Sequence, residues 1–428
     1  MTKTSDFSTL SFRQKATKIL FFAFIGHFLE LYDYTLYVVM LSITSQYFFT
    51  SDFIGDPVSF GLLMFGVSLL IAPPGSWFWG WYGDRFGRLP MLRQSIMLMA
   101  FPSLVIALLP TYQEAGIIAP ILLISCRFVQ TFSASGEVNG AKIFAMEHLG
   151  TSNLGRVSGL LSAAGGLGVL LAMGMGFILS STGISWRIPF FLGSSLAVVG
   201  VMIRRKVSES PEFVEMLQNN PKRSLGMGGT IAMIRQNKNA AMTVSVLGAL
   251  LGVLSYTMHA FLNPFITSLG FASATAYKMG VVGLVSCGVA ALITGVVIDK
   301  LYQAKKVMNA NIVACIVIMP ISFWMILQST ASFQLLLYAA FILQGALLGM
   351  NAACCTVIMF SLFSPESRCR GVMICYAFGM AIFGGFTPYV LKLSTKLDNF
   401  APAVIVTLLS VAAYFVFRYN MRRAEENS

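Results

Sequence analysis

The chain has 428 residues, of which 56% are hydrophobic and only 11% are charged, and its formal net charge at pH 7 is +12. Soluble globular proteins carry about 25% charged residues, so the composition excludes a soluble domain, a disordered chain, a coiled coil and a small disulfide scaffold. It predicts an all-α membrane protein that crosses the bilayer many times.

Twelve apolar stretches are each long enough to form a spanning helix, which needs about 20 mostly apolar residues. In chain order they cover residues 17–45, 58–81, 89–109, 117–146, 156–181, 187–204, 240–268, 277–299, 307–327, 333–363, 370–391 and 400–418. One long connection, residues 205–239, separates six predicted spans from six. We therefore expect an N-terminal six-helix half (residues 1–204), a cytoplasmic linker (residues 205–239) and a C-terminal six-helix half (residues 240–428).

The distribution of lysine and arginine predicts the orientation, because cytoplasmic loops collect positive residues. If the N-terminus is cytoplasmic, 24 of the 29 basic residues fall on the cytoplasmic side and four fall outside, while Arg127 lies within a span. This count places Lys142, near the end of span 4, on the cytoplasmic side. We expect a multi-pass protein of the cell (inner) membrane with both termini in the cytoplasm.

Short charged turns repeat at corresponding positions of the two halves, as in duplicated transporter halves. The sequence GDRFGR (residues 83–88) follows span 2, and an acid followed by basic residues (residues 299–306) follows span 8. We expect such turns to form a latch between the halves that breaks when the cavity opens inward. The alternative is ordinary anchoring by positive loops. The candidate gating residues are Asp84, Arg85, Arg88, Glu147, Arg156, Glu366 and Arg370.

With these turns and five further motifs, the chain resembles the metabolite:H+ symporter family of the major facilitator superfamily. Gly26–Tyr34 is similar to the family's GN-x-x-E-W-x-D-F, and Arg127–Glu137 is similar to its R-x-x-Q-G-x-x-x-G-G-E. Trp186–Phe190, Glu209–Phe213 and Pro365–Arg368 also match. The family includes proline/betaine, 2-oxoglutarate, shikimate and citrate transporters. The resemblance implies a major facilitator fold with spans 1, 4, 7 and 10 around a central cavity.

Four positions depart from the family pattern. Ala72 stands where an arginine usually precedes the proline of span 2, so a positive charge that could meet an anionic substrate is absent. His27 replaces the usual asparagine, and Thr131 and Ser135 replace common glycines. These changes concern the substrate and not the fold.

Polar residues recur at spacings of three or four in spans 1, 4, 7 and 10, so each set shares one helical face. Ionisable groups inside a membrane are costly and usually face a cavity or a partner. We therefore expect these faces to form the substrate and proton pathway. The candidate residues are Glu30, Asp33, Tyr37, Arg127, Gln130, Glu137, Tyr256, His259, Asn263, Gln344 and Asn351.

The helical rise of about 1.5 Å per residue places Asp33 and Arg127 at similar depth, so we expect an ion pair between them, either functional or structural. Glu30 and Glu137 have no obvious cationic neighbour at their depth, and such a carboxyl group can carry a proton. We expect proton coupling through at least one of these three acids; the alternative is a neutral, hydrogen-bonded carboxyl group. His259 is a further candidate for substrate or proton contact.

Enzyme motifs are absent from the sequence. It contains no GxSxG, HExxH or P-loop, its three histidines are scattered, and its seven cysteines show no metal-ligand spacing. We expect no enzyme activity, metal or other cofactor, and a proton gradient as the driving force. The expected partners are a small-molecule substrate and the lipid bilayer, without nucleic acid, and the protein is expected to be a monomer.

Together these patterns predict a secondary active transporter that works by alternating access and takes up a small polar metabolite with protons. A zwitterion such as an amino acid or a betaine is favoured, because Ala72 removes one cation while acidic residues remain in spans 1 and 4. The first alternative is an organic acid symporter with Arg127 as carboxylate partner. Others are an uncoupled facilitator, an exporter and a transporter-like sensor without turnover.

Overall fold

The computed structural model describes residues 12–49, 56–149, 153–204, 207–219, 229–330 and 334–426. Within these ranges the chain folds into twelve long helices and three short ones. The long helices are α1 (Phe12–Phe48), α2 (Pro57–Phe86), α3 (Arg88–Leu108), α4 (Ile118–Leu149), α5 (Leu154–Thr182), α6 (Arg187–Arg204), α7 (Lys238–Ser268), α8 (Ser273–Leu301), α9 (Ala304–Gln328), α10 (Leu335–Ser361), α11 (Arg368–Ser394) and α12 (Ala401–Glu426). The short helices are Tyr112–Ala115, Pro211–Asn219 and Gly229–Gln236.

Ten of the described helices are long and apolar enough to cross a bilayer. The other two long helices are α1, which carries Glu30 and Asp33, and α6, whose apolar part, Arg187–Met202, is shorter. The predicted all-α, multi-pass membrane fold is therefore confirmed. Of the predicted linker, residues 205–206 and 220–228 lie outside the described ranges, and the rest includes two of the short helices.

The segment expected to be a turn after span 2 is helical except at one residue. Helix α2 continues to Phe86 and α3 begins at Arg88, so only Gly87 separates them. Its φ of 110° suits glycine, which has no Cβ to clash with the backbone. Asp84 and Arg85 therefore lie in the last turn of α2, and Arg88 is the first residue of α3.

Three long helices are irregular in their middle. Helix α2 has a turn at residues 70–71, just before two consecutive prolines that have no backbone N–H to donate. Helices α7 and α11 each contain one π-helical turn, at Thr257–Phe261 and Met380–Gly384. Such turns often occur at functional sites, and the one in α7 contains His259.

Two tight crossings join the first six long helices to the last six, α5 against α8 and α2 against α11. A Cβ on Gly159 of α5 would lie 2.5 Å from the carbonyl oxygen of Ala291 in α8. A Cβ on Gly80 of α2 would lie 2.8 Å from the Cα of Arg370 in α11. Because glycine has no side chain, the backbones approach closely at both crossings.

Candidate functional site

A central cavity of about 130 Å³ lies in the middle of the bundle. The sequence predicts that α1, α4, α7 and α10 surround it, and the structure adds α2, α5, α8 and α11. Most of its lining is apolar. The polar lining residues are His27, Tyr34, Ser76, Thr131, Ser135, Asn139, Lys142, Ser162, Ser255, His259 and Tyr376.

Lys142 of α4 is the one formally charged side chain among the described residues that line this cavity. The charge count places it on the cytoplasmic side, and the structure places it within α4, which continues to Leu149. Only 6% of Lys142 is exposed, and it lies within electrostatic range of Glu30 on α1. A charge held in such apolar surroundings favours a ligand with an opposite charge.

The face of α4 that lines the cavity is rotated by about one residue position from the predicted face. Gln130 and Glu137, which were expected to line the pathway, contact α3 instead: Gln130 donates to the Ser103 hydroxyl at 2.7 Å, and Ser95 donates to Glu137 at 2.9 Å. Both sets of residues share the helical spacing, so spacing alone does not distinguish them. The α4 residues that line the cavity are Thr131, Ala134, Ser135, Val138, Asn139 and Lys142.

On α1 the cavity-lining residues are His27, Leu31 and Tyr34. Glu30 is fully buried, and its Oε2 lies 3.1 Å from Nδ1 of His27. The expectation that Glu30 has no cationic neighbour is therefore wrong, since Lys142 lies within electrostatic range of its carboxyl group. His27 connects the buried carboxyl group to the cavity.

Asp33 and Arg127 do not form the expected direct ion pair, because the Gln130 side chain lies between them. Nη1 of Arg127 donates to Oε1 of Gln130 at 2.8 Å, and Nε2 of Gln130 donates to Oδ2 of Asp33 at 3.3 Å. Ser103 also donates to Asp33, at 2.6 Å. The Arg127 guanidinium lies 4.4 Å from the ring centre of Tyr37, which makes a cation–π contact.

The remaining predicted pathway residues lie at or beyond the edge of the central cavity. The hydroxyl oxygens of Tyr256 and Tyr34 are 3.0 Å apart, which links α7 to α1. Gln344 donates to Ser322 of α9 at 2.8 Å, and Asn351 is fully buried. Neither Gln344 nor Asn351 lines the central cavity, to which α10 contributes apolar side chains.

A second cavity, of about 330 Å³, is lined by residues of α1, α2, α7, α8 and α11. His259 lines both cavities, whereas Asn263, one turn further along α7, lines only the second. Lys392 of α11 also lines the second cavity, and its Nζ lies 2.6 Å from Oδ2 of Asp56, which caps α2. This ion pair connects the start of α2 to the last turn of α11.

A cluster of buried charges, the ionic cluster, lies at the opposite end of α2 and α11. Arg88 pairs with Asp84 at 3.4 Å and with Glu147 at 3.1 Å. From α11, Arg368 pairs with Glu147 at 3.3 Å, and Arg370 pairs with Asp84 at 3.6 Å. Because these pairs join α2, α3 and α4 to α11, they close this end of the bundle.

Two of the predicted gating residues, Arg85 and Arg156, make contacts outside the ionic cluster. The Arg85 guanidinium packs over the ring of Trp81 at 5.4 Å. Arg156 pairs with Asp299 at 3.9 Å, and Asp299 also accepts the backbone N–H of Arg156 at the start of α5. Glu366 is exposed. Of the predicted gating residues, the structure brings together Asp84, Arg88, Glu147 and Arg370, and a gating role for them stays a prediction.

The connection between α6 and α7 contributes to the ionic cluster in a way the predicted gating set omits. Oε2 of Glu212 lies 2.6 Å from Nη1 of Arg368. Glu209 accepts the backbone N–H of Leu89 at 3.0 Å. Burial raises the pKa of Glu209, although its backbone hydrogen bonds oppose this effect. Both acids belong to the Glu209–Phe213 motif, which was the available signal.

The known proteins that are similar to this chain are consistent with one another. The family model described as Major Facilitator Superfamily matches residues 23–368. A Staphylococcus aureus (strain COL) protein is named, by inference, as a proline/betaine transporter. It is 31% identical to this chain over 425 residues, and the alignment covers 95% of this chain and 88% of that protein. The proline/betaine transporter of Escherichia coli (strain K12) is 31% identical over 229 residues, 51% of this chain and 46% of that protein.

Two solved structures show a similar fold. The structure of the proton:xylose symporter XylE, bound to 6-bromo-6-deoxy-D-glucose, matches this chain with a TM-score of 0.74 at 16% identity. The alignment covers 95% of both chains. A human organic anion transporter has a TM-score of 0.69 at 13% identity, covering 94% of this chain and 99% of that one. At identities this low, the likeness concerns the fold alone.

Proposed function

Because the chain belongs to the major facilitator superfamily of membrane transporters, we propose that it is a secondary active transporter that takes up a small zwitterion with protons. We assign it twelve spans in two six-helix halves, residues 1–204 and 240–428, which alternate access to the central cavity. In this assignment the ionic cluster and both termini face the cytoplasm, and the second cavity faces outward. The protein then acts as a monomer in the cell (inner) membrane.

The observation that carries this proposal is the single formal charge, Lys142, among the described residues lining the central cavity. A carboxylate bound there would form a charge-assisted hydrogen bond with the ammonium group, worth about 1.5–3 kcal/mol. Such a bond fixes the orientation of a small solute in an otherwise mainly apolar cavity. We therefore propose that the substrate carries a carboxylate.

Aromatic side chains favour a zwitterion over a simple acid. Tyr34 and Tyr376 line the central cavity, and no aspartate or glutamate is among its described lining residues. The cationic end of a zwitterion would then be held by tyrosine rings, at about 0.5–2 kcal/mol per contact. A quaternary ammonium suits such a site because it has no hydrogen to donate. The proline/betaine transporters among the relatives support this substrate class.

We assign the coupled proton to Glu30. A substrate carboxylate at Lys142 would add negative charge near Glu30, which favours the protonated carboxyl group. Because coupling between two binding events is reciprocal, the proton would equally favour substrate binding. His27 lies between Glu30 and the cavity and provides the route. Asp33 accepts two side-chain hydrogen bonds and is assigned to positioning Arg127 through Gln130.

An organic acid symporter is the second candidate, and the same lysine favours it. The cavity charge is positive and uncompensated by an acid among the described lining residues. Behind Tyr34, the Arg127 guanidinium lies 5.8 Å from the ring centre, and its Nε and Nη2 have no hydrogen-bond partner among the described residues. A second carboxylate could reach Arg127 only if Tyr34 moved.

Uptake into proteoliposomes with an alkaline interior tests the proposal. We expect accumulation of L-proline or glycine betaine, collapse of that accumulation when the pH gradient is dissipated, and little accumulation of succinate. Lys142→Gln should reduce binding about 10- to 100-fold, as expected for loss of a charged hydrogen bond. Lys278→Gln, at an exposed lysine that lines neither cavity, is the matched control.

Three results would contradict parts of this assignment. Accumulation of succinate without either zwitterion would favour the organic acid symporter. Equilibration of a zwitterion that ignores the pH gradient would indicate an uncoupled facilitator. Normal affinity in Lys142→Gln would remove the proposed carboxylate site.

A further inference from the structure

The two cavities are stacked along one path through the bundle. On α7, Ser255 lines only the central cavity, His259 lines both, and Asn263 and Thr267 line only the second. Residues of α1, α2, α8 and α11 follow the same order along their helices. His259 therefore marks the boundary between the cavities. The second cavity, at about 330 Å³, is the larger and lies on the side away from the ionic cluster.

Polar groups of the second cavity are available to a ligand. His259 is 8% exposed; its Nδ1 lies 3.2 Å from the Ser255 hydroxyl, while its buried Nε2 has no hydrogen-bond partner among the described residues. The buried Oδ1 of Asn263 also has none there. Lys392 supplies the formal charge, and Asp56 holds it at 2.6 Å. Buried polar groups are normally hydrogen-bonded, so unpartnered ones at a cavity point to a ligand.

We propose that the second cavity, the vestibule, is a separate binding site for small carboxylate solutes, with Lys392 as the carboxylate partner and His259 at the passage to the central cavity. The inference rests on the proposed function in that the ligand is the solute to be transported. A carboxylate in the vestibule competes with Asp56 for Lys392. Its binding therefore also loosens the ion pair that connects α2 to α11 at this end.

Competition for Lys392 predicts opposite effects for two substitutions that break the same ion pair. Lys392→Gln removes the ligand's partner and should weaken binding in the vestibule. Asp56→Asn removes the competitor and should strengthen it. If the pair served only to hold the helices together, both substitutions would change vestibule binding in the same direction. Lys396→Gln, at an exposed lysine just beyond the end of α11, controls for loss of positive charge.

A cysteine reporter measures occupancy of the vestibule. Ser273 is exposed and lines the vestibule, so in Ser273→Cys a bound solute should slow modification by an impermeant maleimide. Ser185→Cys, at an exposed position that lines neither cavity, should be unaffected. The probes are L-proline, glycine betaine and succinate, with modification read by mass spectrometry of each peptide. Thr267→Cys provides a second vestibule reporter if Ser273→Cys folds poorly.

We expect at least one of these carboxylates to protect the reporter even when Lys142→Gln has removed the central site. Lys392→Gln should raise the half-protecting concentration about tenfold or more, as for loss of a charged partner, and Asp56→Asn should lower it. Loss of all protection in Lys142→Gln would overturn the proposal, since protection would then be a consequence of central binding. Equal effects of Lys392→Gln and Asp56→Asn would overturn it as well.

The two proposals fail separately. Protection that persists in proteoliposomes without proton-driven accumulation would support the vestibule and contradict the proposed function. Proton-driven accumulation of a carboxylate that never protects the reporter would support the function and overturn the vestibule.

Discussion

Replacing Asp84 with asparagine should make the end of the bundle that carries the ionic cluster open more often. Asp84 is 2% exposed, and its Oδ2 lies 3.3 Å from the backbone nitrogen and 3.6 Å from Nε of Arg370, across the crossing of α2 and α11. Its contact with Arg88, at 3.4 Å, joins the neighbouring helices α2 and α3. Opening this end separates α2 from α11, so it breaks the Arg370 contacts and keeps the Arg88 contact.

The size of the effect follows from the contacts that opening breaks. A hydrogen bond to a charged group is worth about 1.5–3 kcal/mol, and the long separations to Arg370 place this one near 1.5 kcal/mol. Since about 1.4 kcal/mol corresponds to a tenfold change in an equilibrium constant, Asp84→Asn should raise the open population about tenfold. Asparagine keeps the size of the side chain and one acceptor oxygen, so the fold should be retained.

A native cysteine reports this opening. Cys369, in the first turn of α11, is fully buried beside Gly83 of α2. Its modification by N-ethylmaleimide should be about tenfold faster in Asp84→Asn, and solute binding should persist while uptake falls. Asp398→Asn, at an exposed acid outside the cluster, should leave the rate unchanged. A modification rate in Asp84→Asn equal to that of the wild type would refute the latch.

A cysteine introduced at Ser185 should react with an impermeant thiol reagent from outside and one at Gln218 should not, and the reverse pattern would overturn the orientation. Glu30→Gln should lose accumulation driven by a pH gradient but retain counterflow at equal pH, because exchange needs no net proton movement; normal accumulation would assign the proton elsewhere. The ion pair of Asp56 and Lys392 should weaken in acid. Partial burial raises the pKa of Asp56, but the hydrogen bond and charge of Lys392 and a serine hydroxyl outweigh this and lower it. Its stabilisation is therefore present above the ordinary aspartate pKa and is lost as pH falls through the lowered folded-state value. A Tm whose acid dependence is identical in Asp56→Asn would contradict this.

The helical bundle could be predicted from the sequence because lipid leaves a spanning backbone few alternatives to helix. Helix ends were harder to predict. Helix α2 continues through Asp84 to Phe86, beyond the predicted end at residue 81, and α4 continues to Leu149, beyond the predicted end at residue 146. A charged residue remains in a helix when partners or a cavity receive it. Hydropathy contains no information about such partners, so a prediction based on it places the end of the helix too early.

The direction in which the residues of α4 face depends on the neighbouring helices. The predicted polar face contains Gln130 and Glu137, and the cavity-lining face contains Lys142; neighbouring residues differ by only about 100° around the axis. Serine hydroxyls of α3, Ser103 and Ser95, hydrogen-bond Gln130 and Glu137, which turns Lys142 toward the cavity. No periodicity within α4 could reveal those serines as partners. The consequence is chemical: the proposed function takes Lys142 in the cavity wall as carboxylate partner, whereas the sequence offered Arg127, for an organic acid substrate.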